Sequence, residues 1–180
     1  MSLGNEYIRV ILKRFRSVKR LGDKTLEQLS VSEEETFWTD NSASNSAAII
    51  VKHMSGNMVS RWTDFLTADG EKDYRNRDGE FQNDLSLKSE VAIVWEKGWQ
   101  TLMDALEELT EQDLLKTVTI RGERHLVLDA IERQLAHYSY HVGQLVYIGK
   151  LLKNERWESL SIPKGKSEEF LREMLKKHGK

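Results

Sequence analysis

A single proline, Pro163, stands in 180 residues, and it falls close to the C-terminal end. Helix can therefore run unbroken before it wherever apolar periodicity supports it, since proline removes a helical hydrogen bond and clashes with the preceding turn. Four stretches have that periodicity. Residues 5–29 carry Tyr7, Ile8, Ile11, Leu12, Phe15, Val18, Leu26 and Leu29, mostly at three- and four-residue steps. A second stripe over residues 44–66 holds Ala47, Val51, Met54, Met58, Trp62 and Phe65, after the turn-prone DNSASNS. A third covers 86–109 through Leu87, Val91, Val94, Gly98, Leu102, Leu106 and Leu109. The fourth, 128–153, places Leu128, Ile131, Leu135, Tyr138, Val142, Leu145 and Leu152 on a near-heptad seam.

Between the third and fourth, KTVTIRGERHLV reads as a short hairpin with its turn at RGER. The segment ADGEKDYRNRDGEF, residues 68–81, is too polar for a core element and long for a bundle connection. Its alternating charge, with Arg75 and Arg77 among the acids, reads equally as a solvated loop tied by local ion pairs or as a binder of a charged small molecule. After Pro163, SEEFLREMLKKH reads as a small amphipathic helix capped by Ser167. The pattern predicts an all-α four-helix bundle in one domain, residues 1–180, with its core in 5–160 and a tail over 161–180.

Composition bounds the function. Five Trp, five Phe and five Tyr are enough to fill a core of this size. A net charge of -2 gives no field toward nucleic acid, and the basic run KRFRSVKR lies in an amphipathic pattern as a solvated helix face. No nucleic-acid partner is expected. The absence of Cys excludes disulfides, thiolate metal sites and a cysteine nucleophile. No signal-peptide core and no run of about 18 apolar residues is present, so the expected location is cytoplasmic, with no membrane partner.

HYSYH, residues 137–141, is the most specific local feature. His137 and His141 lie one helical turn apart, on one face, with Cβ atoms about 5–6 Å from each other. Two imidazoles at that spacing can reach one ion, to which zinc–nitrogen bonds measure about 2.0–2.1 Å. With five histidines in 180 residues, chance supplies about 0.14 such pairs. The stripe Gln134, His137, His141 and Gln144 runs beside the apolar seam, where a buried imidazole needs a partner. His53, midway along the second helix on a stripe with Ile50, Asn57 and Arg61, can face it across the bundle. Each of the three could equally be a hydrogen-bonded core histidine. His125 and His178 read as non-functional.

HYSYHVGQLVYIGKLL resembles the C-terminal helix of the DinB/YfiT-like class of metalloenzymes, whose signature is HxxxHxGQ followed by apolar residues. HMSGNMVSRWTDFLTADGEKDYRNRDGEF resembles the first-histidine segment of a bacillus-type subgroup known as a domain of unknown function. The resemblance spans essentially the whole chain. It implies a bacterial four-helix bundle, often a homodimer, holding a divalent metal, zinc or nickel, on His53, His137 and His141. It further implies a small-molecule substrate, and in some relatives thiol S-transfer from bacillithiol, mycothiol or glutathione. The alternative is a non-catalytic bundle whose metal is structural or whose surface binds a partner. Asn57 and Gln144 are the candidates to hold the far nitrogens of the metal-bound imidazoles. Hydrolysis would need a general base, for which Asp69, Glu71, Asp73, Asp78 and Glu80 are all candidates; the catalytic residues stay undetermined at this level. Gly56 and Gly143 are expected to permit close helix approach.

Overall fold

The structure is a computed structural model that describes residues 2–29, 33–82 and 84–179. Four long helices form where the periodicity places them: α1 (Leu3–Leu29), α3 (Ala47–Trp62), α4 (Lys88–Glu107) and α5 (Val127–Lys153). A short helix, α2 (Glu33–Phe37), precedes α3 and has no counterpart in the sequence reading. α1 packs chiefly on α5 and α3 on α4, with α3–α5 and α1–α4 completing the ring of neighbours. Among the described residues no helix is long and apolar enough to cross a membrane.

One aromatic from each long helix meets at the centre: Phe15, Trp62, Trp99 and Tyr138, none more than 2% exposed. Phe15 lies 6.3 Å from Trp62 and 6.2 Å from Tyr138, and Trp99 lies 6.0 Å from Tyr138, ring centre to ring centre. Edge-on pairs of this kind add about 0.5–1.5 kcal/mol each beyond the area they bury. Trp62 Nε1 donates to the Tyr138 hydroxyl at 3.1 Å, which donates in turn to Asn57 Oδ1 at 2.9 Å. The polar tips of Trp62 and Tyr138 are thus satisfied inside the core, while Trp99 Nε1 has no partner.

The second helix is shorter than its stripe. Ser46 Oγ accepts from the Ile49 amide and starts α3 there. At the other end Thr63 turns extended and Asp64 takes a φ of 49°, so Phe65 leaves the helix although it still stacks on Trp62 at 4.6 Å. Ser167 is the first residue of α6 (Ser167–Lys177), not its cap: the capping position is Lys166, which makes no side-chain cap bond.

The hairpin forms as read. β1 (Thr117–Ile120) pairs antiparallel with β2 (Glu123–Leu126), with Ile120 opposite Glu123. Arg121 and Gly122, at φ 55° and 75°, make a two-residue turn with both residues left-handed, the geometry that suits strand twist.

The polar segment 68–81 departs from expectation. It is anchored rather than solvated. Asp69 accepts from the amides of Glu71, Arg121 and Gly122 at 2.7–2.8 Å, tying the segment to the hairpin turn. Burial raises the Asp69 carboxyl, but these backbone bonds outweigh it and hold it well below its ordinary range. The Gly70 amide donates to Thr119 O at 2.8 Å, and Gly70 O accepts from Ser60 and Arg61 of α3. The side chains of Arg75 and Glu80 are 3% and 7% exposed, so the far end of the segment packs inside. A charged segment can bury this way only because its charges pair with one another.

Candidate metal centre

The bundle brings His53 of α3 against His137 and His141 of α5. One ring nitrogen from each lies within 4.8 Å of the others. Ring centres are 5.5 Å apart for His53 and His137, 4.9 Å for His53 and His141, and 4.7 Å for His137 and His141. The Nε2 atoms of His137 and His141 face each other at 3.1 Å. His53 is buried, and the other two are half-buried.

What fixes these rings decides what they can do. His53 Nδ1 lies 2.9 Å from Glu80 Oε2. A carboxylate only accepts, so Nδ1 carries the proton and the Nε2 lone pair is left free. Glu80 reaches this position because Gly56, one turn from His53, has no side chain: a Cβ there would stand 2.3 Å from Glu80 Oε1. Gly56 therefore admits a carboxylate rather than a helix, and Gly143 meets nothing within 4 Å, so neither brings two helices together. Lys52 donates to Gly79 O at 2.7 Å and clamps the 3-10 turn Gly79–Phe81 against α3, while Phe81 stacks on His53 at 4.9 Å.

Glu80 is held in its turn. Arg75 forks onto it through Nε to Oε1 at 2.7 Å and a terminal nitrogen to Oε2 at 2.9 Å. Burial raises the Glu80 carboxyl, but the bonds from His53 and Arg75 outweigh burial and hold it below the usual carboxylate range. Glu71 then receives Arg75 at 3.3 Å, Arg61 at 3.3 Å and Arg121 at 3.1 Å. A chain of charge runs from the exposed Arg121 of the hairpin through part-buried Glu71 to the buried Arg75, Glu80 and His53.

On the α5 side, His141 Nδ1 lies 2.8 Å from Gln144 Oε1, and Gln144 also donates to the Tyr140 hydroxyl at 3.2 Å. Gln144 thus bonds the outer nitrogen of His141. Asn57 makes no hydrogen bond to His53; its Oδ1 accepts from Tyr138, and Glu80 occupies the Nδ1 of His53. Burial pushes His137 down to about 3, with the neighbouring His141, His53, Arg75 and Arg61 adding to the shift. Burial also lowers His141, against an opposing bond from Gln144. Both imidazoles are neutral at pH 7, the state a metal ligand requires.

This donor set fits a divalent ion: three imidazoles converge, and the outer nitrogens of two of them are already bonded to a carboxylate and an amide. One cavity opens onto the cluster, and a second meets it only through Gln144, the partner of His141. The first, about 180 Å³, is lined by His53 and His137 with Asn57, Gln134 and several arginines. The second, about 730 Å³, includes Tyr140, Gly143, Gln144 and Tyr147 of α5.

Of the loop acids, only Glu80 touches the cluster, and both its oxygens are occupied. Asp69 and Glu71 are tied to the hairpin and the arginines, and Asp73 and Asp78 are exposed and line neither cavity. His125 bonds Asp129 and Arg133 beside the hairpin, and His178 is exposed. The sequence reading offered Glu80 only as one base among five. Its signal was a glycine at three residues from His53, which marks an opening but not what fills it.

Comparison with known proteins agrees with this architecture. A search of curated proteins finds no match. The crystal structure of a DinB-like protein, YjoA, from Bacillus subtilis is similar with a TM-score of 0.63 at 17% identity, over 83% of this chain and 95% of that one. The chain has the all-α DinB-like fold. A family model described as "Protein of unknown function (DUF1572)" matches residues 2–166, and the chain belongs to that family.

Proposed function

We propose that His53, His137 and His141 hold a divalent ion, zinc or nickel, and that the protein is a metal-dependent enzyme. Its reaction is thiol S-transfer from a low-molecular-weight thiol to an electrophilic small molecule. The observation that carries this reading is the convergence of three imidazoles, two of them oriented by Glu80 and Gln144 through their outer nitrogens. An ion bound there would supply Lewis acidity, favouring the ionised, nucleophilic form of a thiol at neutral pH.

The chain's own residues fill the remaining roles. Glu80, kept ionised by Arg75, fixes the proton of His53 on Nδ1 and turns the other nitrogen inward. Gln144 does the same for His141. Depressed proton affinity keeps His137 ready to bind without first losing a proton. The cavity of about 730 Å³ has the size of a small-molecule site and combines aromatic and polar walls.

Thiol transfer is preferred over hydrolysis because none of the five loop acids stands free at the cluster as a general base. A thiol brings its own ionisable proton, and the absence of Cys from the chain leaves the sulfur to the cosubstrate. A homodimer, implied by the family resemblance, is part of the same proposal, and light scattering checks it.

The test is a transfer assay on metal-loaded protein, pairing bacillithiol or glutathione with a fluorogenic bimane electrophile. The expected result is metal-dependent conjugation that His53→Ala, His137→Ala and His141→Ala each abolish. Conjugation at equal rates in the wild type and all three variants would overturn the reading.

A further inference from the structure

The smaller cavity beside the cluster is built mostly of guanidinium groups. Arg61, Arg75, Arg77, Arg121 and Arg133 line it, with Gln134. Two carboxylates answer these five charges: Glu80 takes Arg75, and Glu71 is shared among Arg61, Arg75 and Arg121. Arg77 has no side-chain partner among the described residues, and Arg133 bonds only the ring of His125, at 3.3 Å. Five cations against two anions leave three positive charges around about 180 Å³.

Two buried atoms in the lining are also unanswered. Arg61 is 4% exposed and its Nε has no partner; Gln134 is 4% exposed and its Oε1 has none. Unpaired buried polar groups cost stability and are rare in folded proteins. The Arg61 Nε donor beside the cavity points to an acceptor that completes it, whereas Gln134 Oε1 is itself an acceptor and lends an anion no support. Planar guanidinium forks match the oxygens of carboxylates and phosphates.

We infer that this cavity is an oxyanion subsite, which holds a carboxylate or phosphate group of the substrate while the reacting end lies at His53 and His137. The inference rests on the metal-dependent reading for the second half of that statement. The cavity itself does not depend on it. The chemical class of the small molecule is thereby narrowed to an anion, placed by arginines from α3, the 68–81 segment, the hairpin turn and α5.

Calorimetric titration with inorganic phosphate and with succinate, on metal-free and on zinc-loaded protein at low ionic strength, tests it. Arg77→Ala and Arg133→Ala remove exposed side chains and should leave the fold intact. Arg16→Ala, on the far surface where Arg16 pairs with Glu107, controls for general charge. The expected result is saturable one-to-one binding of at least one probe in both forms, weakened about tenfold or more by either cavity variant and unchanged by Arg16→Ala. Which probe binds tighter identifies the group. No binding, or equal weakening by Arg16→Ala, would overturn the inference. Binding confined to the zinc-loaded form and indifferent to both cavity arginines would place the anion on the metal; it would sink the subsite and leave the metal centre standing. Arginine-dependent binding by a protein that takes up no zinc would support the subsite and sink the metal centre instead.

Discussion

His53 and His141 stand 4.9 Å apart, ring centre to ring centre, and are held by different means. His141 is steadied from within its own helix, by an amide one turn away. His53 is steadied from outside α3, by a buried carboxylate that arrives 27 residues later in the chain. That carboxylate in turn needs Arg75, Glu71 and the anchor of Asp69 on the hairpin turn. One half of the site comes with the helix, and the other is assembled by a loop. The difference says where the site is robust and where it is exposed to distant change.

The largest effect should come from the assembled half. Arg75→Ala would leave Glu80 buried without its cation, a loss of about 3–5 kcal/mol by the measure of broken buried ion pairs. Urea denaturation should show it as a lowered midpoint. Gly56→Ala comes next: its Cβ would meet Glu80 at 2.3 Å and force the carboxylate away, costing about 1–3 kcal/mol. Zinc affinity should fall with stability in that variant, although no ligand has been touched. An unchanged zinc affinity would break the asymmetry between the two halves.

Gln144→Ala sharpens the same comparison from the helical side. It should lower stability by only about 1 kcal/mol, while zinc affinity, followed by competition with a chelating dye, falls about 10–100-fold. A further effect is one of pH. His137 titrates near 3 in the folded, metal-free protein and near 6.5 when unfolded. As pH falls below 6.5 the unfolded chain takes up the proton first, so stability declines from there toward about 3. Above 6.5 this group contributes no slope. Denaturation of metal-free protein between pH 7.5 and 5 should show a decline that is shallower in His137→Ala.

The same division explains what could be read from the sequence. Periodicity reports apolar faces, and α1, α4 and α5 appear within two residues of their expected ends because burial of those faces decides them. His137 and His141 were legible because helix geometry alone puts residues four apart together, and Gln144 for the same reason. His53 was legible through its stripe on a facing helix. The partner of His53 was not. Asn57, one turn along, was the partner the spacing offered and Glu80 only one candidate base among five; tertiary packing gave Asn57 to Tyr138 and the carboxylate to His53. A loop with alternating charges reads as solvated, because charge pattern reports affinity for water and not the pairing that lets Arg75 and Glu80 bury together. The early end of α3 at Trp62 was equally hidden, since Phe65 keeps the apolar period after the backbone has left the helix.

The central claim is that three histidines form one metal centre. The most direct test is metal content by mass spectrometry, on untagged protein never exposed to nickel resin, beside His137→Ala. The account predicts about one divalent ion per chain, lost in the variant. Protein that carries no ion, and takes up none when zinc or nickel is added, would contradict it.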